Sequence, residues 1–244
     1  MTFHLQDAVV FMQGLDDSSV NLLWTDPPFG TGNIQSHHST WVGSPKYGYK
    51  DTGEAAALQL LDRVAVETER VLTDDGVAVF LLDYRIVHEF VLQTKQYLKF
   101  EREIIYHFEL GATTRNWWTN KHNTMVMFSK GNPKFYLDRV PMTKRKSGRG
   151  AYDSDERRVN SVWTYTFGPS DRERVGYPNQ KPLAIVEPFV KVHTDEGDMC
   201  IDPFAGSGTL AVAAQRHNRR WAVADTNPQA EQVTNRRTTH EDHR

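Results

Sequence analysis

Three short segments carry residue types whose spacing could do chemistry. The first is Thr25-Asp26-Pro27-Pro28-Phe29-Gly30, which follows the apolar run Val20–Trp24. Two prolines restrict the backbone and leave carbonyl groups without ladder partners, so Asp26 offers an acceptor beside a fixed carbonyl. Phe29 adds a flat apolar face. This set can hold an exocyclic aromatic amine, two acceptors taking its two N–H groups while its ring stacks on Phe29. A conjugated amine is a poor nucleophile, and hydrogen bonds to both protons favour the pyramidal form whose lone pair can attack. The second segment, Asp202-Pro203-Phe204-Ala205-Gly206-Ser207-Gly208-Thr209, reads as a strand end, a glycine-rich turn and a helix start. Gly206 and Gly208 lack Cβ atoms, so the backbone there can approach a ligand closely. The third is Asp225, after Trp221–Ala224, where a carboxylate can accept from both ribose hydroxyls. Together they indicate a nucleoside-containing cofactor. Its identity stays open at this level, because Gly206, Gly208 and Ala211 also satisfy a relaxed dinucleotide fingerprint. A nicotinamide oxidoreductase therefore competes, although hydride transfer has no use for Asp26-Pro27-Pro28-Phe29. A P-loop is excluded because no Lys-Ser/Thr pair follows the glycines.

The elements that position these residues follow from the apolar pattern. Val20–Trp24, Val77–Leu82, Glu103–Phe108, Asn123–Ser129, Met199–Ile201 and Trp221–Ala224 predict strands. Helical spacing covers Glu54–Leu72, where Asp74-Asp75-Gly76 marks the break, and also Arg85–Lys95, Leu183–Val192 and Thr209–Arg216. Strands alternating with helices predict a doubly wound α/β sheet, with the site beyond the carboxyl ends of its strands.

The chain has 244 residues, enough for one α/β domain with a modest insertion. Its formal charge of −2 argues against a protein coated in positive charge, and leaves nucleic acid open because binding depends on where charge sits. Residues 99–150 carry eleven basic and four acidic side chains, a local +7. Trp117, Trp118, Phe135 and Tyr136 are interleaved with that charge, a pattern suited to phosphate contact and base stacking, or else a solvated loop. The single cysteine, Cys200, lies in an apolar strand, reads as core, and fits a reducing compartment. No signal peptide and no apolar run near the roughly 20 residues that span a bilayer are visible, so a cytoplasmic protein is expected. His37-His38 and His240 with His243 lack a matching ligand set, so no metal is expected.

The motifs resemble those of the amino-directed DNA methyltransferases that use S-adenosylmethionine. Asp26-Pro27-Pro28-Phe29 is similar to their catalytic Asp/Asn/Ser-Pro-Pro-Tyr/Phe motif, and Asp202–Thr209 to their cofactor loop. The catalytic motif precedes the cofactor loop, as in the β group, which implies a circularly permuted Rossmann-like sheet. Further similarities lie at Gln6-Asp7-Ala8, Glu69–Leu72 with Asp75-Gly76, Asn116 with Trp118–His122, Phe128–Gly131, Ser161–Trp163 and Tyr177–Leu183. Two departures are Phe29 for the commoner Tyr, and Tyr177 where His usually precedes the proline.

The resemblance implies Asp26, Pro27, Pro28 and Phe29 as catalytic residues. It implies Asp7, Ala8, Asp26, Lys181, Pro182, Asp202, Phe204, Ala205, Gly206, Ser207, Gly208, Thr209 and Asp225 as residues that hold S-adenosylmethionine, Asp7 at the adenine. It places a catalytic part at 1–138, a short target-recognition insertion at 139–174, and a cofactor-binding part of the same domain at 175–244. Asp at position 26 resembles adenine-N6 more than cytosine-N4 enzymes, so site-specific methylation of adenine in double-stranded DNA by base flipping is expected, with cytosine-N4 as the alternative. A non-catalytic DNA-binding module is the more distant reading, which the intact Asp26, Gly206, Gly208 and Asp225 disfavour. Lys121, Lys144, Arg145, Lys146 and Arg149 are the expected DNA contacts, with Lys46 and Lys50 in a loop, Gly30–Lys50, expected to close over DNA. A homodimer and a cognate restriction endonuclease are partners that the resemblance allows.

Overall fold

The computed structural model describes residues 1–32, 34–36, 48–50, 53–110, 115–144, 156–168 and 170–239. In chain order these form β1 (Thr2–Leu5), α1 (Ala8–Gln13), β2 (Val20–Thr25), β3 (Ile34–Ser36), β4 (Gly48–Lys50), α2 (Glu54–Val71), β5 (Leu72–Leu82), α3 (Val87–Thr94), β6 (Lys99–His107) and β7 (His122–Ser129). The second half contains β8 (Met142–Lys144), β9 (Glu156–Arg158), β10 (Val162–Thr164), α4 (Glu187–His193), β11 (Met199–Asp202), α5 (Thr209–Arg216), β12 (Arg220–Asp225) and α6 (Pro228–Thr239).

Eight strands form one sheet in the order β1-β12-β11-β2-β5-β7-β6-β10. Neighbours pair in parallel except around β7, which runs against both β5 and β6. From β2 the chain moves through α2 to β5; from β11 it moves through α5 to β12, in the opposite direction across the sheet. The adjacent strands β2 and β11 therefore flank the topological switch point, where an open α/β sheet leaves a crevice beyond its strand ends. The expected α/β architecture is present, and both candidate motifs sit at that crevice.

Alternation along the strands divides the core between the two sheet faces. Ala78, Phe80 and Leu82 of β5 join α1, α2 and α3 on one face, while Val77, Val79 and Leu81 join α4 and α5 on the other. Helix α2 turns Leu58, Leu61, Val64, Ala65 and Val71 inward at three- and four-residue spacing. Arg70, on its last turn, donates to the carbonyls of Met12 and Leu15, tying the end of the short α1 to α2.

Three boundaries differ from the pattern-based expectation. Asp74-Asp75-Gly76 lies inside β5, which starts at Leu72 and absorbs the turn residues in a bulge opposite β2. Leu183–Val192 is a 3-10 turn at Leu183–Ile185 followed by α4, because Pro188 cannot donate to a preceding carbonyl and blocks one continuous helix. Segment 139–174 is not wholly an insertion, since β10 within it pairs with β6 in the main sheet. What stands outside that sheet is the antiparallel pair β8–β9.

Two glycines set close approaches that hold the site loops. Gly30 has φ +70°, and a Cβ there would lie 2.7 Å from Glu54 Cα, so the chain leaving Phe29 passes against the start of α2. Gly208 has φ +73°, and its Cβ would meet the Thr234 side chain at 2.4–2.8 Å. Its missing side chain thus admits α6; of the two glycines, Gly206 is the one among the walls of the crevice. Gly208→Ala is expected to lower unfolding stability by about 1–3 kcal/mol through left-handed strain and overpacking. Part of that loss should return when Thr234→Ala is added. Denaturant melts of the single and double variants measure both, and an unchanged midpoint for Gly208→Ala would contradict this account.

Candidate active site

The ends of β2, β11 and β12 enclose a cleft of about 280 Å³ whose walls include Trp24, Asp26, Lys181, Asp202, Gly206 and Asp225. A larger, open hollow of about 890 Å³ lies elsewhere, against Thr2, Phe3, Arg219 and Arg220 at the starts of β1 and β12, and contains none of the motif residues. The smaller cleft is where titratable groups converge.

Asp26 follows β2 directly. Its Oδ2 accepts from Lys181 Nζ, and its Oδ1 is closed off from solvent with no hydrogen-bond partner. Burial pushes its carboxyl above the usual carboxylate range, while the Lys181 charge and hydrogen bond pull it back. Lys181 Nζ also lies 5.5 Å from the Phe29 ring centroid. Asp202, on the neighbouring strand, accepts from Thr25 Oγ1 at 2.6 Å and from the Phe204 N–H at 2.9 Å. Burial pushes it up to about 7, with Asp26 and Asp225 adding to the shift. Asp225 accepts from the N–H groups of Gly206 and Asn227, both at 2.9 Å, and burial raises its carboxyl too. These three carboxylates thus share with Asp7 one crevice that holds a single lysine, Lys181, bonded to Asp26.

The glycine turn is held from both sides. The Thr209 hydroxyl donates to the Lys181 carbonyl at 3.0 Å, so the cofactor-loop helix and the Lys181-Pro182 segment are locked together. Arg237 of α6 donates to the Ser207 carbonyl at 2.7 Å, and burial lowers its guanidinium to about 10. The Glu173 carboxylate accepts from the Leu183 N–H at 3.0 Å, while Gln180 bridges the Glu173 carbonyl and the Val175 N–H. Tyr177 packs beside Gly206 and accepts a 3.3 Å hydrogen bond from Asn227. Arg237 and Glu173 carry no signal in the sequence, since no periodicity marks a lone polar side chain that braces a loop from a distant element.

The structure gathers Asp7, Ala8, Asp26, Lys181, Asp202, Phe204, Ala205, Gly206, Ser207, Thr209 and Asp225 around this cleft, with Pro28 from the catalytic segment. Asp7 has a second task, capping α1 by accepting from the Val9 and Val10 N–H groups. Pro27, Phe29, Pro182 and Gly208 are not among its walls, although Pro182 adjoins Lys181. Cys200 is buried in β11, which pushes its thiol up to about 12.

The basic block is less available than its sum suggests. Lys130 pairs with Glu69 at 3.6 Å, Lys134 with Asp198 at 3.1 Å, and Arg139 with Asp195 at 3.1 Å, because acidic segments distant in sequence pack against this region. Lys121 donates to the Glu109 carbonyl at 2.9 Å. Lys144 is exposed on β8, and the backbone of Lys50 lies in β4. Lys46, Arg145, Lys146 and Arg149 lie outside the described residues, as do His37, His38, His240 and His243. Among the described residues, no group of three side chains could hold a metal ion, and no helix is long and apolar enough to cross a membrane.

Known proteins resemble this chain in sequence and in fold. Residues 20–236 match the model of the N6/N4 methyltransferase family, described as DNA methylase. The type II methyltransferase M.HpaI of Haemophilus parainfluenzae is 25% identical over 226 residues, covering 91% of this chain and 68% of that protein. The DNA adenine methyltransferase YhdJ of Escherichia coli K12 is 23% identical over 240 residues, covering 91% and 76%. The solved structure of PvuII DNA methyltransferase (cytosine-N4-specific) superimposes with a TM-score of 0.76 at 14% identity, covering 99% of this chain and 87% of that one, a likeness of fold. With its catalytic segment ahead of its cofactor loop, the chain belongs to the β group of the amino-directed N6/N4 DNA methylase family.

Proposed function

We propose that this DNA methyltransferase transfers a methyl group from S-adenosylmethionine to the N6 amino group of adenine in double-stranded DNA. The observation that carries the reading is Asp26: a carboxylate with a closed, unpartnered oxygen, placed between Phe29 and a crevice walled by Asp202 and Asp225. The aspartate at position 26 and the resemblance to an adenine methyltransferase favour adenine over cytosine.

The donor set fits a cationic nucleoside cofactor. Asp225 at the end of β12 suits ribose hydroxyls, the Gly206–Ser207 backbone admits close approach, and the clustered carboxylates favour positive charge. The cofactor supplies a methyl group on a sulfonium, already activated by its neutral thioether leaving group, so no metal is needed. The protein's part is positioning. A base inside a duplex is out of reach of Asp26, so it is rotated out of the stack. Asp26 and the carbonyl of Pro27 would hold its amino protons and Phe29 would support its ring, leaving the lone pair free to take the methyl group as the carbon–sulfur bond breaks; the methylated nitrogen would then release one proton to water.

DNA-facing groups surround the same sheet edge. β6 runs parallel to β2 and β5, so the segment after its end at His107 emerges on the Asp26 side. That segment carries Trp117 and Trp118, which are 81% and 87% exposed. We assign target reading to the hairpin β8–β9, with Lys144, Arg157 and Arg158 on exposed strands, rather than to all of 139–174.

Asp26→Ala is expected to abolish methyl transfer to genomic DNA while leaving S-adenosylmethionine binding largely intact; full activity would sink the mechanism. Sequencing of methylated DNA should find N6-methyladenine, and N4-methylcytosine would reverse the base assignment. Cationic cofactor binding next to Asp202, whose carboxyl burial pushes up to about 7, should favour its carboxylate, so affinity should rise with pH through that range and binding should release a proton. Calorimetry near pH 6.5 in buffers of different ionisation enthalpy reads this release directly, and proton uptake would oppose it. Trp118→Ala should weaken DNA binding by about 1–3 kcal/mol, as loss of one stacked aromatic does, with cofactor affinity unchanged.

A further inference from the structure

Two of the groups assigned to the target base, the Asp26 carboxylate and the Phe29 ring, are engaged here by a side chain of the protein itself. Lys181 Nζ donates to Asp26 Oδ2 and, at 3.2 Å, to the Asn179 carbonyl, and it lies beside the Phe29 ring. An acceptor carboxylate and an aromatic face are what a flipped base would use for its amine and its ring. The Lys181 side chain is only 14% exposed, and the backbone at 181 is pinned by Thr209 and followed by Pro182, so the stem is the part free to swing.

We propose that Lys181 is a positioning residue for Asp26: its ammonium holds the amino-group subsite, keeps the Asp26 carboxylate ready as an acceptor, and gives way to the target base. This rests on the reading of Asp26 as the amine acceptor and departs from a role confined to cofactor contact. The geometry separates the two roles, because the ammonium points to Asp26 while the backbone carbonyl of the same residue ties the cofactor loop.

The surroundings of Asp26 explain why a cation is needed. Asp26 interacts electrostatically with Asp202 on β11 and with the neutral phenol of Tyr106 on β6; Asp225 acts in turn on Asp202, and Glu173 and the cation Arg174 on Tyr106. The carboxyl group of Asp202 opposes a second charge at Asp26, and burial already pushes the Asp26 carboxyl upward. Among the described residues, Lys181 supplies the opposing charge. Without it nothing offsets the upward push of burial on the Asp26 carboxyl, and a carboxyl that holds its proton presents a donor where the amine needs acceptors. When the base arrives, the Asn179 carbonyl keeps the displaced ammonium within the crevice.

The test compares Lys181→Gln and Lys181→Arg with the unaltered chain. Carboxyl carbon NMR of aspartate-labelled protein without DNA or cofactor, assigned through Asp26→Asn, follows Asp26 alone. In Lys181→Gln its midpoint should rise by about one pH unit or more; in Lys181→Arg it should stay near the starting value. The acid limb of kcat on genomic DNA should move by the same amount in Lys181→Gln, with activity recovering at high pH. Calorimetric affinity for S-adenosylmethionine at that high pH should not fall, because removing the ammonium leaves the crevice more negative toward a cationic ligand. An unmoved Asp26 titration in Lys181→Gln overturns the proposal, as does a more than tenfold loss of cofactor affinity with an unmoved acid limb. If Lys181→Gln fails to fold, Lys181→Met takes its place, and an Asp26 midpoint in it unmoved from that of the unaltered chain overturns the proposal. Absence of methyl transfer by the unaltered chain would refute the proposed function, whereas the NMR titration judges Lys181 on its own.

Discussion

Buried negative charge is the constraint around which this site is organised. Three adjacent strands of the parallel sheet end in Asp26, Asp202 and Asp225, and taking a carboxylate out of water is costly unless it is paired or hydrogen-bonded. Each aspartate meets that cost differently. Asp225 accepts backbone N–H groups, Asp202 accepts a hydroxyl and an N–H, and Asp26 binds an ammonium. The residual strain is visible in Asp202, whose carboxyl is pushed up to about 7. A crevice in this electrostatic state favours a cationic ligand, and the same field makes the single lysine at Asp26 consequential.

The sheet creates that convergence from segments far apart in the chain. Thr25 and Asp202 are 177 residues apart, yet they share a 2.6 Å hydrogen bond because β2 and β11 are neighbours. Opposite crossovers from these two strands open the crevice between them, so the catalytic and cofactor segments can occur in either chain order and still form one site. Rigidity comes from behind the loops: Arg237 and Thr209 hold the glycine turn, and Gly208 lets α6 pack close enough for Arg237 to reach it. Loops fixed in this way cost little reorganisation when ligands bind.

The parts of the site with local signatures were legible from sequence. Strand-ending aspartates, a proline pair and a glycine turn express short-range stereochemistry, and Asp26, Asp202, Gly206 and Asp225 all meet in the cleft. Strands with continuous apolar runs, such as Val77–Leu82, were equally clear. The glycine loop by itself could not separate a nicotinamide cofactor from S-adenosylmethionine, since both ask for the same close backbone approach; the catalytic segment and the family match do so. Elements lacking a strong pattern, such as the short β1 and β10 and the hydrophilic α6, were less visible, because tertiary packing stabilises them more than propensity does.

The local +7 shows the same division. Sequence counts charges, but Lys130, Lys134 and Arg139 turned out to serve acidic groups from α2, the start of β11 and the end of α4, leaving Lys144 and the exposed tryptophans as better candidates for DNA. By itself the sequence determined the α/β class, the two chemical segments and their order, because these depend on periodicity and on backbone stereochemistry within a few residues. Only the tertiary structure decided which side chain stands against Asp26, which glycine faces the crevice, and which basic residues remain exposed. Those outcomes depend on distances between elements remote in sequence, and partner choice among buried charges is settled by whichever group the fold brings within a few ångströms.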